Sequence, residues 1–199
     1  HVSEKTKLKV NAAVDKLGYR PSSIARSLAS NRTDCVGILV SELHGPFYGD
    51  MLTGIESELR ASGKHTIITA GHSDKKSERD GIEFLIDRNC DALILLVEAL
   101  SDEYIIELKK GKIPFVLINR YIEEIKDDCF YLDNLLGGYL ATKQLLEHGH
   151  KDIAYISGPL IKRDANDRFI GHKKALAEGQ WVRDALDAYH NKKSCESAA

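Results

Sequence analysis

Aromatic, acidic and basic residues that suit a polyol ligand follow several of the apolar, strand-like runs in this 199-residue chain. They are Phe47, Tyr48, Asp133, Asp164 and Arg168. Aromatic faces pack against a sugar ring, while carboxylate and guanidinium groups bind its hydroxyls. A structural interpretation fits equally well, because Phe47 or Tyr48 can be a core residue and Arg168 an ion-pair partner on a helix. Spacing alone does not decide between the two interpretations.

Sequence motifs for nucleotide binding and for hydrolysis are missing. The chain has no G-x-G-x-x-G, no G-x-x-x-x-G-K-[ST] and no G-x-S-x-G, and its histidines have no H-E-x-x-H spacing. An α/β enzyme, such as a sugar kinase or a nucleoside hydrolase, needs a phosphate-binding loop or a catalytic carboxylate that no motif supplies. We therefore predict a protein that is not an enzyme, with no cofactor and no bound metal.

The cysteines and the hydropathy pattern predict a cytoplasmic location. Cys35, Cys90, Cys129 and Cys195 are dispersed without C-x-x-C spacing, which disfavours a disulfide framework. The chain contains no run of 18 apolar residues and no signal peptide pattern at its first residues. Because it begins with His1, we expect that the start of the gene product is absent.

Charge is distributed unevenly along the chain. Residues 1–33 contain seven Lys or Arg and two Asp or Glu, whereas the remainder contains 21 basic and 28 acidic residues. A basic arm on an acidic body indicates a polyanionic partner at one end of the molecule. The alternative is a solvated helix face. A purely sugar-binding module remains a second functional hypothesis, although the basic arm disfavours it.

The basic arm is predicted to contain one helix, a stop and a second, shorter helix. Ser3 is the expected N-cap of the first helix, in which Val10, Ala13, Val14 and Leu17 form an apolar stripe. Gly18 and Pro21 then end that helix. A hinge helix over Ile24–Ala29 is too short to be stable alone, so we expect it to form against an anionic partner.

The body alternates apolar, β-type runs with amphipathic helices. Predicted strands are Cys35–Ser41, His65–Ala70, Ala92–Val97, Phe115–Ile118, Ile153–Ser157 and a weaker Phe130–Leu132. Predicted helices are Phe47–Ala61, Ser77–Arg88, Asp102–Lys110, Leu135–Glu147 and Asp164–Glu178. Strands that are apolar on both faces and alternate with helices predict an α/β fold with a parallel sheet flanked by helices.

The arm and the first strand resemble those of the lactose/galactose-repressor family of bacterial transcription factors. An L-G-Y-x-P box, an A-R-S-L hinge, an R-T pair and a P-F-aromatic turn occur in order in LGYRPSSIARSLASNRT and VGILVSELHGPFYGDML. The resemblance extends from about Val2 to about Glu178 and is nearest to galactose-repressor-like members. It implies a sequence-specific DNA-binding repressor that is controlled by a small, sugar-like effector.

The resemblance also implies a homodimer whose hinge helices bind the minor groove of double-stranded operator DNA. Leu28 matches the leucine that the family inserts as an apolar wedge. The residues implied to contact DNA are Ser3, Lys5, Thr6, Tyr19, Arg20, Ser22, Ala25, Arg26, Leu28 and Ala29. The helices that begin the family's helix-turn-helix have no counterpart here, so we expect weak specific binding by this chain.

For the body, the resemblance implies the first lobe of a periplasmic-binding-protein-like core. The implied effector-binding residues are the P-F-aromatic turn, Asp133, and Asp164 and Arg168 of the segment Asp164–Gly171. We predict a partial DNA-binding head and hinge over residues 1–33, the lobe over 34–179 and an atypical tail over 180–199. The tail departs from the family pattern near Gln180 and is predicted to form an amphipathic turn or two.

Overall fold

The computed structural model describes residues 2–19 and 32–196, with side chains as far as Gly179 in the last helix. The chain divides into two compact units, of which the first ends at Cys129 and the second begins at Phe130. The predicted hinge helix Ile24–Ala29 lies outside the described residues. Six of the predicted DNA contacts lie outside them as well: Arg20, Ser22, Ala25, Arg26, Leu28 and Ala29.

Helix α1 spans Glu4–Leu17, as the sequence predicts. The Ser3 side chain caps it by accepting a hydrogen bond from the Thr6 N–H (3.3 Å), and Gly18 ends it in the left-handed conformation (φ 59°). None of its residues is buried, and Leu17 is 78% exposed. The apolar stripe of α1 therefore has no partner surface among the described residues.

A five-stranded sheet organises the first unit, in the order β2-β1-β3-β4-β5. The strands are β1 (Cys35–Val40), β2 (His65–Ala70), β3 (Ala92–Leu95), β4 (Phe115–Ile118) and β5 (Cys129–Phe130). β1 lies parallel to both β2 and β3, and β3 lies parallel to β4. The predicted α/β fold with a parallel sheet is confirmed. The weak strand predicted at Phe130–Leu132 begins one residue earlier, at Cys129, and already ends at Phe130.

Helices connect the parallel strands and cover the sheet, because parallel neighbours cannot be joined by a tight turn. They are α2 (Pro46–Ala61), α3 (Lys75–Asp87), α4 (Asp102–Lys109) and a 3-10 helix (Glu123–Asp128). The hydrophobic core lies between strands and helices and includes Leu39, Leu95, Leu117, Ile82 and Leu85, all fully buried. The apolar runs that predicted the strands thus supply the core that holds them.

The second unit contains two packed helices, α5 (Asn134–Glu147) and α6 (Arg163–Glu196). Helix α6 begins one residue before the predicted start at Asp164 and continues well beyond the predicted end at Glu178. The predicted separate turn or two in the tail is therefore wrong, since the tail extends α6. Residues 180–196 contain no Gly or Pro, the residues that most often end a helix.

The strand predicted at Ile153–Ser157 is wrong, because this segment has no regular secondary structure. A strand is stable only when another strand satisfies its backbone hydrogen bonds. The described residues of the second unit form α5 and α6 and otherwise only the end of β5. Ile156 is 99% exposed in consequence. The apolar pattern gave the segment a β propensity, but the second unit offers it no neighbouring strand.

One carboxylate holds the start of β1. The N–H of Thr33 donates to Asp91 Oδ1 (2.9 Å), and the N–H of Asp34 donates to Oδ2 (3.0 Å). The Thr33 hydroxyl also donates to Asp91 Oδ1 (3.0 Å). Partial burial by itself raises the pKa of Asp91, but the hydrogen bonds from Thr33 and Asp34 outweigh burial and leave the pKa below its ordinary value.

Replacing Asp91 with asparagine is expected to lower the free energy of unfolding by about 2 kcal/mol near neutral pH. In the variant, the N–H₂ group of the asparagine replaces one carboxylate oxygen and faces a backbone N–H donor, so one hydrogen bond to the start of β1 is lost. Because the pKa of Asp91 is lowered in the folded state, its contribution is present above the unfolded pKa and is lost as the pH falls through the folded pKa. Urea unfolding should therefore show a difference that shrinks in acid, while Asp87→Asn, at an exposed position, leaves stability unchanged.

Candidate functional site

The carboxyl ends of β1, β2 and β3 define one edge of the sheet, where parallel α/β folds place their ligands. Phe47 and Tyr48 lie at this edge in the first turn of α2, directly after Pro46. Their rings are 5.3 Å apart in an edge-to-face arrangement. Phe47 is 53% exposed and Tyr48 is half-buried, so Phe47 is not a core residue. An exposed aromatic face beside the strand ends is suited to packing against a sugar ring.

Three polar residues that the sequence analysis did not single out meet at the same edge. Ser41, directly after β1, donates its hydroxyl to Glu98 Oε1 (3.1 Å). Ser73, after β2, donates to Glu98 Oε2 (2.8 Å). Glu98 is itself exposed and follows β3. One signal could have found it, since Glu98 is the first residue after the predicted strand Ala92–Val97.

The backbone at the end of β2 has an unusual conformation. His72 and Ser73 both have φ 51°, in the left-handed region that side chains other than glycine rarely occupy. The imidazole Nδ1 of His72 lies 3.4 Å from Glu42 Oε2, and that of His44 lies 3.6 Å from the same oxygen. Strained backbone of this kind occurs preferentially at binding sites. These two residues direct polar side chains toward the edge that carries Phe47 and Glu98.

The remaining predicted effector residues lie in the second unit. Asp133 is the N-cap of α5 and accepts a hydrogen bond from the Leu136 N–H (2.8 Å). Arg168 donates to Asp164 Oδ2 (2.8 Å) and to Asn134 Oδ1 (2.6 Å). The structure thus brings Asp164 and Arg168 together as an ion pair on α6, as the structural interpretation had it. The Arg168 side chain is nevertheless 43% exposed, which leaves its guanidinium accessible.

Of the predicted DNA contacts, Ser3, Lys5, Thr6 and Tyr19 are described. Ser3 and Thr6 bond to each other through their hydroxyls (2.9 Å) at the start of α1. Lys5 is exposed, and Tyr19, just after α1, is 60% exposed. Their assignment as DNA contacts stays a prediction.

The described parts of the chain contain no group of three or more His, Cys, Asp or Glu side chains arranged to hold a metal ion. Within the same ranges, no helix combines the length and the apolar character that a bilayer span requires.

A parallel sheet with an exposed aromatic and polar carboxyl edge is the architecture of periplasmic-binding-protein-like sensor domains. A family model described as periplasmic binding proteins and sugar binding domain of LacI family matches residues 33–188. The match covers more than half of the chain, which therefore belongs to this family. The family resemblance seen in the arm and first strand is thereby confirmed.

Individual relatives are transcriptional regulators. The chain is 35% identical to the HTH-type transcriptional regulator GalR of Escherichia coli (strain K12) over 176 residues, 88% of this chain and 51% of the relative. It is 34% identical to the HTH-type transcriptional repressor PurR of Vibrio atlanticus over 198 residues, 99% of this chain and 59% of the relative. The chain thus spans about half the length of the curated relatives it matches.

Solved structures give the same family. A LacI-family transcriptional regulator from Burkholderia phymatum superposes with a TM-score of 0.67 at 32% identity, covering 73% of this chain and 54% of that chain. The Lac repressor bound to ONPG superposes with a TM-score of 0.77 at 25% identity, covering 90% of this chain and 55% of that chain.

Proposed function

We propose that this chain is part of a DNA-binding transcriptional repressor that responds to a small, sugar-like effector, and not an enzyme. The observation that carries the proposal is the combination of a basic helix without buried residues and a periplasmic-binding-protein-like core in one chain. The identities with GalR and PurR support it, since both names denote regulators. The proposed partners are double-stranded operator DNA, the effector and a second copy of the chain. We keep the cytoplasmic location as a prediction.

Two sets of residues carry the proposed activity. DNA contacts are proposed for Ser3, Lys5, Thr6 and Tyr19, together with the hinge residues outside the described part of the chain. Effector contacts are proposed for Phe47 and Tyr48 in the first unit and for Asp133, Asp164 and Arg168 in the second. The description of the matching family, which names a sugar binding domain, supports the effector class at the level of the family.

Salt dependence tests the proposed DNA contact. Duplex DNA binding, followed by fluorescence anisotropy, is expected to weaken with salt, each neutralised phosphate contributing about −0.9 to the slope of log affinity against log salt. Replacing Lys5 and Lys9 with alanine should flatten that slope by about one to two units. Both lysines are exposed on α1.

The matched control replaces two exposed lysines of the body, Lys75 and Lys76, at the start of α3. It removes the same charge from the molecule and should leave the slope unchanged. Equal slopes for all three proteins would mean that α1 is only a solvated face, and the DNA-binding proposal would fail.

A further inference from the structure

Glu78 is a fully buried carboxylate in the first turn of α3. Its Oε1 accepts hydrogen bonds from the N–H groups of Glu98 (2.8 Å) and Ala99 (3.1 Å). Its Oε2 accepts from the N–H groups of Ala99 (3.0 Å) and Leu100 (2.9 Å). Among the described residues, no Lys, Arg or His forms an ion pair with it, so backbone amides satisfy this carboxylate.

Burying a carboxylate is costly, and well-packed apolar residues often give at least equal stability at such positions. Unlike an apolar side chain, a carboxylate forms directional hydrogen bonds. Two oxygens receive donors from three consecutive residues, and this convergence restricts the loop 98–100 to one conformation. Glu78 therefore determines the shape of the loop after β3 more than it contributes to the stability of the core.

Close packing against β2 keeps Glu78 in place. Gly71 follows β2, and a Cβ added there would lie 2.6 Å from Glu78 Cγ and 3.2 Å from its Cα. Only glycine permits this approach. The same turn continues into His72 and Ser73, and the Ser73 hydroxyl bonds Glu98. The ends of β2 and β3 are thus fixed to one another through Glu78 on one side and Glu98 on the other.

The result is an exposed carboxylate held in a defined position at the ligand-binding edge of the sheet. The backbone N–H of Glu98 donates to Glu78, and the hydroxyls of Ser41 and Ser73 donate to the Glu98 carboxylate. Carboxylates accept hydrogen bonds from hydroxyl groups in several directions. Phe47 lies on the same edge, in the first turn of α2 and six residues after Ser41.

We propose that Glu78 is a positioning residue for effector binding and that Glu98 is the group it positions, accepting a hydroxyl of the sugar and so contributing to effector specificity. This inference rests on the proposed function, because it concerns the same effector. It adds a residue outside the predicted set, and it assigns a role to a buried carboxylate that touches no ligand.

Three substitutions test the proposal in the full chain. Glu78→Gln keeps the volume but directs an N–H₂ group at backbone N–H donors. Glu98→Gln removes the exposed charge and keeps the loop. Glu83→Gln, at an exposed position of α3, is the matched control. Amide hydrogen exchange at residues 98–100 reports the loop, and NMR titrations with galactose and with ribose report effector binding.

Glu78→Gln is expected to accelerate exchange at residues 98–100 about tenfold or more and to weaken sugar binding by a similar factor. Glu98→Gln should weaken sugar binding without accelerating exchange at Ala99 and Leu100. Glu83→Gln should change neither. If Glu78→Gln does not fold, Glu98→Gln still decides whether Glu98 contacts the sugar, because Glu98 is exposed and its replacement should not unfold the protein.

Unchanged exchange at residues 98–100 in a folded Glu78→Gln protein would overturn the positioning role. Sugar affinity unchanged in Glu98→Gln but lowered by Arg168→Ala would overturn the role of Glu98 while the proposed function stands. Absence of sugar binding by the unmodified chain would contradict the proposed function itself and the role of Glu98 with it.

Discussion

Replacing Gly138 with alanine is expected to disrupt the packing of α5 against α6 and to cost about 3 kcal/mol or more of unfolding free energy. A Cβ at Gly138 would overlap the carbonyl oxygen of Arg168 and lie 2.7 Å from its carbonyl carbon. Gly171 has the reciprocal arrangement, because a Cβ there would overlap the Leu135 carbonyl oxygen and lie 2.7 Å from the Tyr139 nitrogen. The obstacles are backbone atoms, so no side-chain rotation relieves the overlap. Gly171→Ala should have an effect of the same size.

Gly137→Ala is the matched control, one residue away on the same helix. Nothing lies within 4 Å of a Cβ at this position. Alanine should therefore raise stability by about 0.5–1 kcal/mol through its higher helix propensity. Urea unfolding followed by circular dichroism measures all three variants. Equal stability of Gly138→Ala and Gly137→Ala would show that the two helices do not approach each other as described.

Arg168→Ala is expected to weaken sugar binding by about 10- to 100-fold, the size typical of a lost charge-assisted hydrogen bond. The Arg168 side chain is 43% exposed, while Asp164 and Asn134 accept hydrogen bonds from its guanidinium and orient it. Its planar group can donate two hydrogen bonds to neighbouring sugar hydroxyls, which an ammonium group reproduces poorly. Arg168→Lys should accordingly recover only part of the affinity. NMR titration with galactose and with ribose measures the effect.

Lys173→Ala is the control for this experiment. Lys173 is an exposed cation on the same helix, 4.7 Å from the ring of Phe169. Its removal should leave sugar affinity unchanged. Unfolding curves of Arg168→Ala should resemble those of the unmodified chain, because water can replace the guanidinium at the partly exposed Asp164. Full sugar affinity in Arg168→Ala would mean that Arg168 only forms an ion pair with Asp164 and does not contact the sugar.

The sheet and its helices could be predicted because their signals are local. β1, β2, β3 and β4 begin at the predicted residues, since each is a short run rich in apolar or β-branched residues. The cap of α1 followed from Ser3 and Gly18, whose side chain and backbone freedom act within one turn. The family could be recognised for a related reason, because its motifs are short, contiguous segments of the sequence.

The candidate site was predicted less completely. Phe47 and Tyr48 follow from the motif and lie at the sheet edge, whereas Ser41, Ser73 and Glu98 meet only because β1 lies between β2 and β3. Glu78 gave no sequence signal, since an acidic residue in the first turn of a helix is ordinarily a solvated one. Its burial depends on Gly71, which allows the close approach of α3.

By itself, the sequence determined the basic first helix, the parallel α/β order and the family, because helix caps, apolar runs and contiguous motifs act over a few residues. Tertiary structure alone decided that Ile153–Ser157 is not a strand, that Asp91 holds the start of β1 and that Glu78 holds the loop 98–100. Each of these depends on partners that are distant in sequence, or on their absence. A strand needs a neighbouring strand, and a buried carboxylate needs hydrogen-bond donors. Whether these partners are present depends on how the chain packs.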